Sequence, residues 1–187
     1  LRDALATPFT LGVSSGSSLG AVAAICLGFQ TVGGLPALWV FAFAGAAATL
    51  LLVMWIGAEG RRLSSFTLLL AGVTINSMCM AGILFLHYTA SVGQSFSIVR
   101  WLMGGVDAVE YATLGVVAAM VLPAVGAAMT QTKSLNLLAV GEQWAASRGV
   151  AVTATMVAAY VLGSFLTGVV TAMTGPIGFV GLIVPHG

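Results

Sequence analysis

Charge is what this chain has least of: six Lys and Arg and five Asp and Glu among 187 residues, or 6%. A water-soluble domain carries roughly a quarter charged residues. A chain that is 59% hydrophobic, with mean hydropathy +1.10, cannot cover itself in water, so lipid has to be its main solvent. The net charge of +1 says nothing about nucleic acid, and no basic patch can be drawn, so no nucleic-acid partner is expected. Cys26 and Cys79 lie in apolar runs and match neither a metal spacing nor a disulfide framework, which leaves them packing roles. The only lysine, Lys133, follows Thr132 rather than a glycine. The pattern G-x-x-x-x-G-K-[ST] therefore cannot be written, and the chain has no phosphate-binding loop of its own. No Asp, Glu, Lys or Arg falls deep in an apolar run, which argues against transport driven by protons or sodium ions. His186 has no second ligand near it in sequence, His87 sits beside Tyr88 as an interfacial anchor would, and the eight methionines are scattered, so no metal site is expected. LRDALATPF lacks the arrangement of a signal peptide and LIVPHG stops straight after an apolar run. Both ends read as cut, and a piece of a longer protein is expected.

What the chain does have is five apolar runs long enough to cross a hydrocarbon core, which takes about 20 residues. Thr7-Pro8 suits a helix start and opens a span from about Phe9 to Phe29. The second runs from Leu35 to Ile56, ended by Gly57 and AEGRR. Ser64 or Ser65 can cap a third, running to about Tyr88. Asp107-Ala-Val-Glu110 reads as a capping box before a fourth that ends near Gln131, with a kink expected at Pro123; the fifth covers Val150 to about Met173. If the N-terminus is cytoplasmic, alternation puts Arg2, Arg61, Arg62, Lys133 and Arg148 inside and Arg100 outside, as the positive-inside rule asks. The 89–106 segment is then external, with a short amphipathic helix around Arg100 and Trp101.

Three features within this frame invite a function. Gly12, Gly16 and Gly20, interleaved with serines, form a stripe that lets a second helix approach closely. Asn76, the most conspicuous polar residue deep in the third span, suits an interhelical hydrogen bond better than substrate contact. The stretch Lys133–Val150, KSLNLLAVGEQWAASRGV, carries three of the few charges between two apolar runs. A helix capped by Asn136 and ended by Gly149 fits it, with Leu137, Leu138, Trp144 and Ala145 as an apolar stripe beside Glu142 and Gln143. Such a segment either lies on the membrane or plugs into a partner's groove. Gly12-Val-Ser14-Ser15-Gly16 also matches G-x-S-x-G, but no strand precedes it, so chance explains it better than an intramembrane serine protease.

Five blocks in order resemble one family, the FecCD/BtuC-like permeases of ABC importers for iron–siderophore complexes, haem and vitamin B12. They are ATPFTLGVSSGSSLGA (Ala6 to Ala21), RRLSSFTLLLAGVTIN (Arg61 to Asn76), WLMGGVD (Trp101 to Asp107), LNLLAVGEQWAASRGV (Leu135 to Val150) and GPIGFVGLIVPH (Gly175 to His186). The resemblance implies an all-α, polytopic transmembrane helix bundle, a fragment of a ten-helix type II ABC importer permease. Residues 1–187 would be one permease domain lacking helices at both ends, in the bacterial cytoplasmic membrane. It implies a second permease copy (homodimer or close paralogue), cytoplasmic ABC ATPase subunits, and a periplasmic or lipid-anchored substrate-binding protein. ATP and Mg would sit on the ATPase partner, with no cofactor and no enzymatic step on this chain. Residues 133–150 would be the cytoplasmic coupling segment, through Leu138, Gly141, Glu142, Ala146, Arg148 and Gly149. Ser64, Ser65 and Asn76 would belong to the cytoplasmic gate and pathway, although Phe66 departs from the family's small, polar pattern there. Arg100 and Trp101 are substitutes for binding-protein contacts that lie mainly elsewhere. A gradient-driven secondary transporter or channel is the alternative.

Overall fold

The computed structural model describes residues 12–59, 62–63, 65–106 and 109–177. Eight helices and two minimal hairpins follow in order. They are α1 (Val13–Leu27), β1 (Thr31–Val32), β2 (Leu35–Pro36), α2 (Ala37–Gly57), β3 (Ala58–Glu59), β4 (Arg62–Leu63), α3 (Ser65–Thr89), α4 (Val92–Met103), α5 (Tyr111–Thr130), α6 (Thr132–Val140), α7 (Glu142–Ser147) and α8 (Val152–Thr174). The hairpins pair antiparallel, Thr31 with Pro36 and Ala58 with Leu63. The result is an all-α bundle in which α2, α5, α8 and Thr67–Thr89 of α3 are each long and apolar enough to cross a membrane.

Four of the five expected spans match within a few residues. The first differs: α1 has only 15 described helical residues, and the Thr7-Pro8 start lies outside the described residues. Gly12, at φ 76, precedes it, and Gly28, at φ 72, ends it with its N–H donated to Ile25 O. Of the expected capping box, Asp107 lies outside the described residues and Glu110 precedes α5 without a side-chain cap bond. α5 runs on through Pro123.

α1 and α2 meet backbone to backbone. A Cβ added at Gly16 would lie 2.7 Å from Gly45 O and collide with the Thr49 side chain; at Gly20 it would strike Phe41 O, and at Gly45, Gly16 O. Ser17 Oγ of α1 is buried without a partner among the described residues, but two other hydroxyls are turned back on their own helices: Ser18 Oγ donates to Ser14 O at 3.0 Å and Thr49 Oγ1 to Gly45 O at 2.9 Å. Small residues can therefore line the contact without leaving those donors unpaired in lipid. Ser14 is buried within α1, its side chain shielded from water and substrate, which argues against the serine-hydrolase reading.

At the end of the bundle where α1 and α8 stop, α4 is held by its first turn. Ser91 and Gln94 form a reciprocal capping box: Ser91 N–H donates to Gln94 Oε1 at 2.9 Å, and Gln94 N–H to Ser91 Oγ at 3.4 Å. The same amide's Nε2 donates to Ile25 O (3.2 Å) and Cys26 O (3.0 Å), the last carbonyls of α1. Ser95 Oγ lies 2.6 Å from His87 Nε2 at the end of α3. Gly105 N–H reaches Thr174 O at 2.7 Å, where α8 ends on Gly175 at φ 70. Gln94→Ala, losing one cap bond and two interhelical bonds, is expected to cost about 2 kcal/mol. Hydrogen exchange should show it as faster exchange of the 92–103 amides with the rest of the bundle unchanged.

Candidate functional site

The end of the bundle between α5 and α8 carries the most distinctive surface. The sequence leads to one helix from Asn136 to Gly149; the structure instead breaks it at Gly141 into α6 and α7. Asn136 is not a cap but lies inside α6, which starts at Thr132 directly after α5. Gly149 does end the segment as expected. It stands at φ 79, donates its N–H to Ala146 O at 3.0 Å, and lets Val150 N–H reach Ala145 O at 3.1 Å, a Schellman turn.

The two short helices divide their residues between bundle and exterior. Leu138 is buried, and Ala145 completely so, in one apolar cluster with Val53, Leu68, Met156 and Tyr160. Leu137 packs partly against the same cluster. Trp144 does not join this stripe. It is 46% exposed, and the Arg148 guanidinium stacks 4.3 Å above its ring. One residue of register explains the difference: burying Ala145 turns its neighbour Trp144 outward, where its large face shelters a cation. Glu142, Ala146, Arg148 and Gly149 are exposed as well, with Gly141 half-buried. Leu138 thus anchors the platform, and the outward face consists of Glu142, Trp144, Ala146, Arg148 and Gly149.

The second candidate surface is α3. Ser64 lies outside the described residues, and Ser65 is the first residue of the helix. Asn76, half-buried midway along, accepts a hydrogen bond from Ser15 Oγ of α1 through its Oδ1. Gly12 sits beside it, where an added Cβ would be 3.1 Å from Gly72 O. The outward face of α3 is apolar, with Leu70, Val73, Met78, Leu84, Phe85 and Tyr88 exposed. Its hydroxyls are turned back on the helix, Thr74 to Leu70 O at 2.9 Å and Ser77 to Val73 O at 3.1 Å. At the opposite end of the molecule from the α6–α7 platform, Arg100 and Trp101 close α4 beside the end of α8. Among the described residues no group of three His, Cys, Asp or Glu could hold a metal.

Sequence reading missed Gln94, whose S-x-x-Q spacing from Ser91 was a legible cap signal, and the Trp144–Arg148 stack, a pair four residues apart on a helix.

The model of the FecCD transport family matches residues 1–187. The hemin transport system permease protein HmuU of Yersinia pestis is 34% identical over 99% of this chain and 56% of its own length. The vitamin B12 import system permease protein BtuC of Klebsiella pneumoniae is 34% identical over 99% of this chain and 55% of its own. A solved structure described as an inward-facing conformation of a metal-chelate type ABC transporter superposes with a TM-score of 0.87 at 29% identity, covering 99% of this chain and 58% of that one. The chain thus spans just over half the length of the curated relatives it matches.

Proposed function

We propose, from the premise that this chain belongs to the FecCD transport family, that it is part of the membrane permease of an ATP-driven importer for a bulky metal chelate. With its four long apolar helices, membership makes it a multi-pass protein of the bacterial inner membrane. The α6–α7 platform carries the functional reading. It lies between the inner ends of α5 and α8, buries Leu138 and Ala145 in the bundle, and turns Glu142, Trp144, Ala146, Arg148 and Gly149 outward. An ATPase subunit gripping that face would deliver its movement to the spans that share the cluster. The apolar outer face of α3, together with Ser65 and Asn76, would border the pathway, where a wall without charge lets a large complex slide past without being held. A second permease copy would complete that pathway, and a substrate-binding protein would deliver cargo from outside onto α4, where Val92, Phe96 and Met103 are exposed. ATP and Mg belong to the ATPase partner, and this chain makes no covalent change to its cargo. We take an iron–siderophore complex as that cargo; the relatives' names make hemin and vitamin B12 the competitors to include.

The test uses the full-length permease assembled with its ATPase. A cysteine placed at Ala146, exposed on α7, is expected to cross-link to the ATPase subunit and not to an externally added binding protein. Uptake of radiolabelled chelate into proteoliposomes should require ATP. Cross-linking from the outer side, or uptake that proceeds without nucleotide, would replace this reading with a gradient-driven carrier.

A further inference from the structure

The two ends of α4 are pinned to different helices, and we propose that this makes α4 a lever driven by α8, carrying movement between the α6–α7 platform and the opposite end of the bundle. The inference rests on the reading of that platform as the ATPase contact. The first turn of α4 is the pivot: Gln94 Nε2 donates to the Ile25 and Cys26 carbonyls of α1, and Ser95 Oγ meets His87 Nε2 of α3. Its far end is fixed to α8. Gly105 N–H donates to Thr174 O at 2.7 Å. Gly104 and Gly175, both left-handed at φ 68 and 70, pack on each other. A Cβ at Gly175 would lie 2.5 Å from Trp101 O and 3.1 Å from Gly104 Cα, so only glycine lets the two chains close to that distance. Trp101 also packs on the cluster of Ala21, Ala42 and Ala172, but a ring can slide over methyl groups, and the backbone bond to Thr174 cannot stretch.

The other end of α8 is joined to the platform. Only residues 148–151 separate α7 from α8, and Val150 N–H is held by Ala145 O. Leu138 and Ala145 of the platform share one cluster with Met156 and Tyr160 of α8. Between its ends α8 runs 23 residues without a proline, about 34 Å of rise, which crosses the hydrocarbon core as one rod. Its seam with α2 is made by side chains: Phe165 meets Phe43 edge-on with centroids 5.7 Å apart, and Gly168 faces Ala46. Side chains adjust where the main-chain contact of α1 with α2 does not. A shift of the platform therefore travels along α8 to Gly104 and turns α4, about 18 Å long, about Gln94. Coupling between two binding sites is reciprocal, so a partner docking on α4 changes the platform's grip on the ATPase by the same route.

The experiment is a spin-label distance measurement on the full-length permease assembled with its ATPase, one permease copy carrying the labels. Val32, on the hairpin joining α1 to α2, is the reference, and the second label sits at Val92 or at Met103; all three are exposed. A non-hydrolysable ATP analogue is expected to change the Val32–Met103 distance several times more than the Val32–Val92 distance, since Met103 rides the driven end and Val92 the pivot. Gly175→Ala should abolish the Met103 change while the Ala146→Cys cross-link to the ATPase persists. Gly105→Ala, whose Cβ meets nothing within 4 Å, should leave the change intact. If Gly175→Ala does not fold, Gly105→Pro takes its place by removing the N–H given to Thr174 O. Equal changes at the two labels, a static Met103 in a complex whose Ala146→Cys cross-link forms, or an unaltered change in a folded Gly175→Ala or Gly105→Pro variant would each overturn the lever and leave the platform reading standing. Failure of the cross-link itself would overturn both.

Discussion

Glu142→Arg in the full-length protein is expected to abolish ATP-driven uptake while leaving the amount of protein in the membrane unchanged. Glu142 opens α7, is exposed, and is the acidic residue of that helix's first turn. Its removal therefore takes nothing from the bundle interior, and an arginine there opposes the helix end by less than about 1 kcal/mol. The larger effect falls on the partner's side. Reversing a charge at the centre of a docking face costs several kcal/mol, and every 1.4 kcal/mol is roughly tenfold in affinity. Uptake should drop by at least about tenfold, together with co-purification of the ATPase. Gly149→Trp should give the same loss by another route: open space surrounds Gly149, but its φ of 79 strains any L side chain and places a bulky ring on the same face. Wild-type uptake by both variants would remove α6–α7 from the coupling role.

Gly16→Val is expected to act on the bundle itself. Its new side chain would overlap Thr49 and press on the Gly45 carbonyl, and a backbone oxygen cannot rotate away as a side chain can. A cost of about 3 kcal/mol or more follows from forced overpacking, a large share of the 5–15 kcal/mol that holds a typical protein together. The measurement is thermal unfolding in detergent, with Gly115→Val in α5 as the matched control, because a Cβ there meets nothing within 4 Å. Equal midpoints for the two variants would show that the α1–α2 seam carries no such constraint.

These two residues also mark what could be read without coordinates. Spans were legible because lipid demands runs of about 20 apolar residues, and α2, α3, α5 and α8 declare themselves by length alone. The Gly12–Gly16–Gly20 stripe named one side of a close contact, but Gly45, Thr49 and Phe41 on the other side needed the structure, because spacing along one helix does not identify its partner. The platform was legible as a segment and not as a shape. A short amphipathic stretch does not announce a break at Gly141, and a one-residue change in which side is buried moved Trp144 from interior to surface. Gln94 escaped for a different reason. Its cap bond is local, yet its bonds to Ile25 and Cys26 span 69 and 68 residues of chain, a distance that no periodicity can bridge.

The glycine seam has a mechanical corollary. With main chain pressed on main chain, α1 and α2 form a single girder: sliding one along the other would drive Phe41, Gly45 and Thr49 across Gly16 and Gly20. On the proposed reading, a reorientation of the bundle would move α1 and α2 as one body.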